Sequence, residues 1–139
     1  MKTNISLIAK CVFLFSALVF ISCGNNGIYF DDNDQSIRSC SQQVISNLLI
    51  NGLDNKDFYH FSKKSNSKGT DKFSLVKLNL DYNLTGMFDK SLPLDSFHLQ
   101  PNAEYEIENH SIGDAAGDKL LVKTDSAGII IYANKTSCE

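Results

Sequence analysis

Few residues able to do chemistry occur in this chain, and they sit far apart. His60, His98 and His110 show no ligand spacing of the His-x-x-x-His kind, and no two cysteines form a Cys-x-x-Cys pair, so no metal site is read. Neither a Gly-x-Ser-x-Gly elbow nor a His-Glu-x-x-His helix motif is present. Gly113-Asp-Ala-Ala-Gly117-Asp-Lys119 places glycines near a lysine, but no Ser or Thr follows Lys119 to hold magnesium, so a turn is expected there. Glu104, Glu106 and Glu108 alternate with Tyr105 and Ile107. Carboxylates do acid–base work when burial splits their pKa values. Three in strand phase mark a solvated face instead. Asp31, Asp32 and Asp34 lack the glycine and distal glutamate of a calcium loop. Phe58, Tyr59 and Phe61 read as core, with His60 among them as a surface polar position. These readings assign no catalytic residue, no cofactor and no metal.

Composition narrows the classes further. The 139 residues carry 13 Lys+Arg against 16 Asp+Glu, a net charge of −3, which gives no basic excess for a nucleic-acid partner. At 42% hydrophobic the chain has enough apolar content to collapse, and its length allows one domain.

Residues 1–22 read as an address. Cys11 to Ser22 (CVFLFSALVFIS) is uncharged and follows Lys10. It is too short to span about 30 Å of hydrocarbon, and right for a signal-peptide core. The run ends Phe20-Ile21-Ser22-Cys23, with Gly24 next. This resembles the lipobox of bacterial lipoproteins, with Phe20 where that motif has Leu. The resemblance implies that Cys23 is lipidated, that residues 1–22 are removed, and that acyl chains hold the protein in the envelope of a Gram-negative bacterium, at the outer membrane. Removal of 22 residues, Lys2 and Lys10 among them, leaves 117 residues at net charge −5. Such a body is poorly suited to binding anionic headgroups by charge, so attachment falls to the acyl chains.

With Cys11 removed and Cys23 acylated, Cys40 and Cys138 remain as an even pair in a compartment that permits disulfides. A bridge is expected between them. Residues 23–36 (Gly24 to Gln35, GNNGIYFDDNDQ) are polar and read as a flexible tether, leaving 37–139 as the globular domain.

The elements that must position any site read as one helix followed by strands. Ile37, Cys40, Val44 and Leu48 recur at helical spacing, Ser39 and Gln42 fit a capping box, and Gly52 offers a stop, which predicts a helix over Ile37–Asn51. Leu48–Ile50 keeps a strand alternative open. Strands are predicted at Asp57–Lys63, Phe73–Leu84 (bent near Val76-Lys77), Phe97–Gln100, Ala103–Ser111, Asp118–Asp125 and Gly128–Ala133, separated by turn clusters. The expected fold is mainly β, a small antiparallel immunoglobulin-like sandwich with one N-terminal helix. Leu99-x-Pro101-x-x-x-Tyr105-x-Ile107 resembles the entry to the penultimate strand of fibronectin type III domains, although this chain lacks Trp. That resemblance implies a corner in which the Tyr105 hydroxyl bonds back to nearby backbone. Asp125-Ser126-Ala127 resembles a short O-glycosylation acceptor of some bacterial lipoproteins, which implies Ser126 as a modification site.

The expected function is a lipid-anchored, non-enzymatic binding or accessory module with a protein or glycan partner. The alternatives are an inhibitor protecting against a toxin or hydrolase, and an enzyme acting on envelope polymers.

Overall fold

The computed structural model describes residues 26–111, 113 and 119–138. Cys23, the signal segment and Gly24–Asn25 lie outside the described residues, as do residues 114–118 of the glycine-bearing connection. The chain builds two antiparallel sheets. The smaller has the order β1-β2-β5, from Ile28–Asp31, Ser36–Ser39 and Lys72–Ser74. The larger has the order β10-β9-β8-β3-β4-β6-β7. Its members are β3 (Asn47–Gly52), β4 (Phe58–Lys63), β6 (Tyr82–Thr85), β7 (Ser91–Leu92), β8 (Glu104–Asn109), β9 (Leu120–Thr124) and β10 (Ile130–Ala133). Mainly β architecture and sandwich layering are as expected.

Period-two burial makes these elements. Leu48 and Ile50 of β3, Tyr59 and Phe61 of β4, and Tyr105 and Ile107 of β8 all point inward. They meet Ile28, Phe30, Ile37 and Phe73 from the smaller sheet in one core. Phe61 stands at its centre, its ring 4.8 Å from Phe73 and 5.1 Å from Phe97. Burying each such aromatic is worth roughly 1.5–3 kcal/mol.

Three expectations are corrected. The helix over Ile37–Asn51 does not form: the segment is β2, a connection, and β3. Ile37 lies between Phe30 and Phe73 across two strand pairings, and Leu48 and Ile50 lie between β4 and β8. Tertiary pairing outweighs local helical spacing, and Gln42 interrupts it with φ of 56°. Secondly, the stretch read as a tether is structured from Ile28 onward. Ile28 and Phe30 are buried, and Asp31–Gln35 turn the chain into β2. Asp31 pairs with Arg38 at 2.8 Å, while Lys72 and Ser36 engage Asp34 and hold its carboxyl below the usual range. Thirdly, the long strand over Phe73–Leu84 is two strands in different sheets. β5 ends at Ser74, residues 75–81 cross over, and β6 begins at Tyr82, which explains the change of phase. Residues 97–100 are also a crossing segment and not a strand.

Cys40 and Cys138 are bonded, with Cα atoms 5.6 Å apart. The Tyr105 hydroxyl accepts the Gln100 N–H at 2.7 Å and donates to Asp57 at 2.7 Å, the backward reach expected of Tyr105. Burial, then the Asp57 hydrogen bond, pushes its pKa up to about 12.

Strand directions define two ends. The chain enters at the lower end, where β1 and β3 begin and Cys40 lies. At the upper end are the turns β1–β2, β3–β4, β6–β7 and β9–β10, together with Leu75 after β5.

Candidate functional site

A trough opens at the upper end, between the crossing segments and the β9–β10 turn. Gly128 shapes that turn: its φ is +78°, and a Cβ there would stand 2.4 Å from the Leu99 carbonyl oxygen, so only glycine fits. The Asp125 carboxylate accepts the N–H groups of Ala127 at 2.8 Å and Ile129 at 3.0 Å, which locks the loop. Gln35 fixes the turn to the smaller sheet. Its side chain accepts from Ile130 N–H and donates to Ile130 C=O, both at 3.1 Å. On the facing wall, Phe97 is wedged edge-on against Tyr59, centroids 4.9 Å apart, and the Tyr59 hydroxyl donates to His98 C=O at 3.1 Å. Burial, then Asp57, raises the Tyr59 pKa.

Two hollows share Leu75, Val76 and Phe97 as a common wall. One, of about 200 Å³, runs toward Gly128 and Ile129. The other, of about 320 Å³, runs toward Leu78 and Leu94. Val76 is 68% exposed and Ile129 43%, so apolar side chains line the mouth as well as the floor. Asp95 stands at the second hollow and His98 at the first. An apolar trough of this kind is suited to taking apolar side chains from a partner surface.

The residues with catalytic potential do not converge here. Glu104, Glu106 and Glu108 lie on the outer face of the larger sheet, as expected of that phase, and Lys123 and Lys119 pair with Glu104 and Glu106 at 2.6 and 2.8 Å. His110 meets Glu108 at 2.8 Å, and His60 contacts Asn47 at 3.3 Å, on that same open face. Burial pushes the Glu108 carboxyl up, but His110, Glu106 and Lys119 outweigh it and hold it low. Burial lowers the His60 pKa. His98 is at the trough, held by the Ser96 carbonyl at 3.0 Å. Among the described residues, no three His, Cys, Asp or Glu side chains are arranged to hold a metal. Ser126 is exposed in the β9–β10 turn, beside the trough.

Sequence reasoning missed Gln35, Val76 and Ile129, whose roles arise when three distant segments meet. It also missed the β6–β7 hairpin and its tip, Met87–Phe88. Only Gly86 beside two apolar residues marked that turn.

The fold and trough define a small antiparallel β-sandwich with a surface cleft suited to binding. Compared with protein-family models, with curated proteins and with solved structures, the chain matches none.

Proposed function

We propose that this chain is a lipid-anchored envelope protein that binds a partner through the apolar trough and catalyses no reaction. The observation that carries the reading is the placement of that trough. It lies at the upper end, whereas the chain enters β1 at the lower end, only five residues after Cys23. Five residues reach at most about 18 Å, so acyl chains on Cys23 would hold the lower end close to a bilayer and turn the trough away from it. The resemblance of Phe20-Ile21-Ser22-Cys23 to a lipobox supports the anchor. The net charge of −5 expected once residues 1–22 are removed also supports the more specific reading of a protective inhibitor, because an acidic body suits a basic toxin or hydrolase.

The test has two parts. Metabolic labelling with a clickable fatty acid is expected to mark the wild type and not Cys23→Ser; equal label in both removes the anchor. A photo-crosslinking residue at Val76 in intact cells is expected to capture a partner that Ile129→Asp releases. A crosslinking pattern unchanged by Ile129→Asp removes the trough as the binding site.

A further inference from the structure

The connection from β4 to β5 meets the last residues of the β5–β6 crossing at the lower end of the fold. Lys64 joins the two: its backbone N–H donates to the Asp81 carbonyl at 2.8 Å, and its ammonium donates to the Leu80 carbonyl at 2.7 Å. The Lys63 ammonium donates to the Lys64 and Ser67 carbonyls at 3.2 and 3.0 Å. The stem of Lys63 runs over Gly69, where a Cβ would stand 2.5 Å from it and 2.6 Å from a Val44 methyl. These contacts make one continuous patch. It sets Lys63, Lys64 and Lys68 beside two exposed apolar side chains, Leu80 at 76% and Val44 at 38%.

The carboxylates on the same two connections are Asp71 and Asp81. Asp81 is turned inward, accepting the Gly69 N–H at 2.9 Å, and Asp71 is exposed. Lys72, the next residue, is engaged by Asp34. Three lysines against two carboxylates leave the patch locally basic on an acidic chain. Net charge does not describe one face, because charges more than about 8 Å away are screened in physiological salt.

The patch also lies where the chain enters. Gly27, just before β1, accepts the Cys40 N–H at 2.9 Å, and the Ser39 N–H donates to the Asp71 carbonyl at 2.9 Å. The entry point and the β4–β5 connection are thus two strand spacings apart, about 10 Å. That is inside the reach of about 18 Å between Cys23 and β1. Lysine stems lying along apolar surface, with their ammonium groups turned to headgroups, are suited to the boundary of a bilayer.

We propose that this patch rests on the membrane, with Leu80 and Val44 entering the headgroup–acyl boundary and Lys63, Lys64 and Lys68 meeting headgroup phosphates. The inference rests on the anchor proposed above and adds a second, non-covalent contact that orients the anchored chain; it does not need the trough. Each lysine near an anionic surface favours contact about fivefold, which sets the orientation of a chain already held by its lipid.

The chain has no tryptophan, so one placed at Leu80 reports on that position alone. Leu53, 53% exposed in the β3–β4 turn, stands at the upper end about 20 Å away along the strands and serves as the reference. The acylated full chain is reconstituted in vesicles of phosphatidylethanolamine and phosphatidylglycerol with brominated acyl chains. Bromine is expected to quench Leu80→Trp at least twofold and to leave Leu53→Trp unquenched. Adding Lys64→Glu and Lys68→Glu is expected to remove most of the quenching at Leu80→Trp, whereas Lys64→Arg with Lys68→Arg retains it, which separates charge from a structural role of Lys64. Flotation with the vesicles reads the anchor independently. A chain that floats with no quenching at Leu80→Trp, or with equal quenching at both positions, overturns the patch and leaves the anchor standing. So does quenching indifferent to the glutamate pair. A chain that does not float removes the anchor, and this proposal with it.

Discussion

The two edges of the larger sheet are treated in opposite ways. At the β10 edge, Gln35 takes both polar groups of Ile130, the Phe30 N–H donates to the Lys135 carbonyl at 3.0 Å, and the Cys40–Cys138 bond fastens the last residues to the smaller sheet. Those contacts close the sandwich along one seam and occupy groups that would otherwise template another strand. At the β7 edge the strand has two residues, the turn is strained, and Phe88 stands in solvent. An exposed edge invites association. This chain closes one edge covalently and by hydrogen bonds, and keeps the other short, with its apolar side chain at the tip. The seam therefore serves stability, and the free hairpin is the place to look for contacts.

The largest test of that contrast is Cys138→Ser. A bond between residues 98 apart in sequence is worth about 4–5 kcal/mol in the chain-entropy model, so thermal unfolding should fall steeply. A loss below about 1 kcal/mol would mean the seam does not depend on the bond.

Next is Tyr105→Phe, which removes the acceptor for the Gln100 N–H and the donor to Asp57. It should cost roughly 1–3 kcal/mol in denaturant unfolding. The same hydroxyl gives a pH signature. Its folded pKa is raised from 10 to about 12, so the folded chain holds the proton longer than the unfolded chain does. That contribution is fully present below pH 10 and is lost as pH rises toward 12. Wild type should lose stability over that window more steeply than Tyr105→Phe, and parallel pH profiles would contradict this.

Gln35→Ala opens the seam at Ile130 and should cost about 1–2 kcal/mol for two lost hydrogen bonds. Light scattering should also show faster aggregation, because the β10 edge becomes free; unchanged scattering would show that Gln35 does not protect it. The smallest effect belongs to the other edge. Replacing Phe88-Asp89 by Asn-Gly should raise stability by about 0.5–1 kcal/mol, since those residues accept positive φ. A decrease in melting temperature would show that the tip is packed and not strained.

Much of the β architecture was legible because strand burial has a period of two. Asp57–Lys63 and Ala103–Ser111 were read close to β4 and β8, and the Glu104–Glu106–Glu108 face was read from its alternation. The helix over Ile37–Asn51 was misread because Ile37, Val44 and Leu48 satisfy helical spacing by chance, while Ile37 pairs with Phe30 and Phe73 and Leu48 with β4 and β8, and Val44 stays exposed between strands. The trough was not legible at all. Leu75, Phe97 and Ile129 come from three segments, and each looks like an ordinary turn-flanking apolar residue until the crossings bring them together.

What the sequence determined by itself is what depends on local composition and alternation: the mainly β class and the turn at Gly128, while the reach of Tyr105 followed from a resemblance and the Cys40–Cys138 pairing from eliminating the other two cysteines. Tertiary structure alone decided the rest. Which sheet a strand joins, which edge Gln35 clamps and where apolar side chains remain uncovered depend on distant pairings such as that of Gln35 with Ile130, 95 positions away. The free energy of such pairings appears only after the chain has closed those loops, so no local window of sequence contains it.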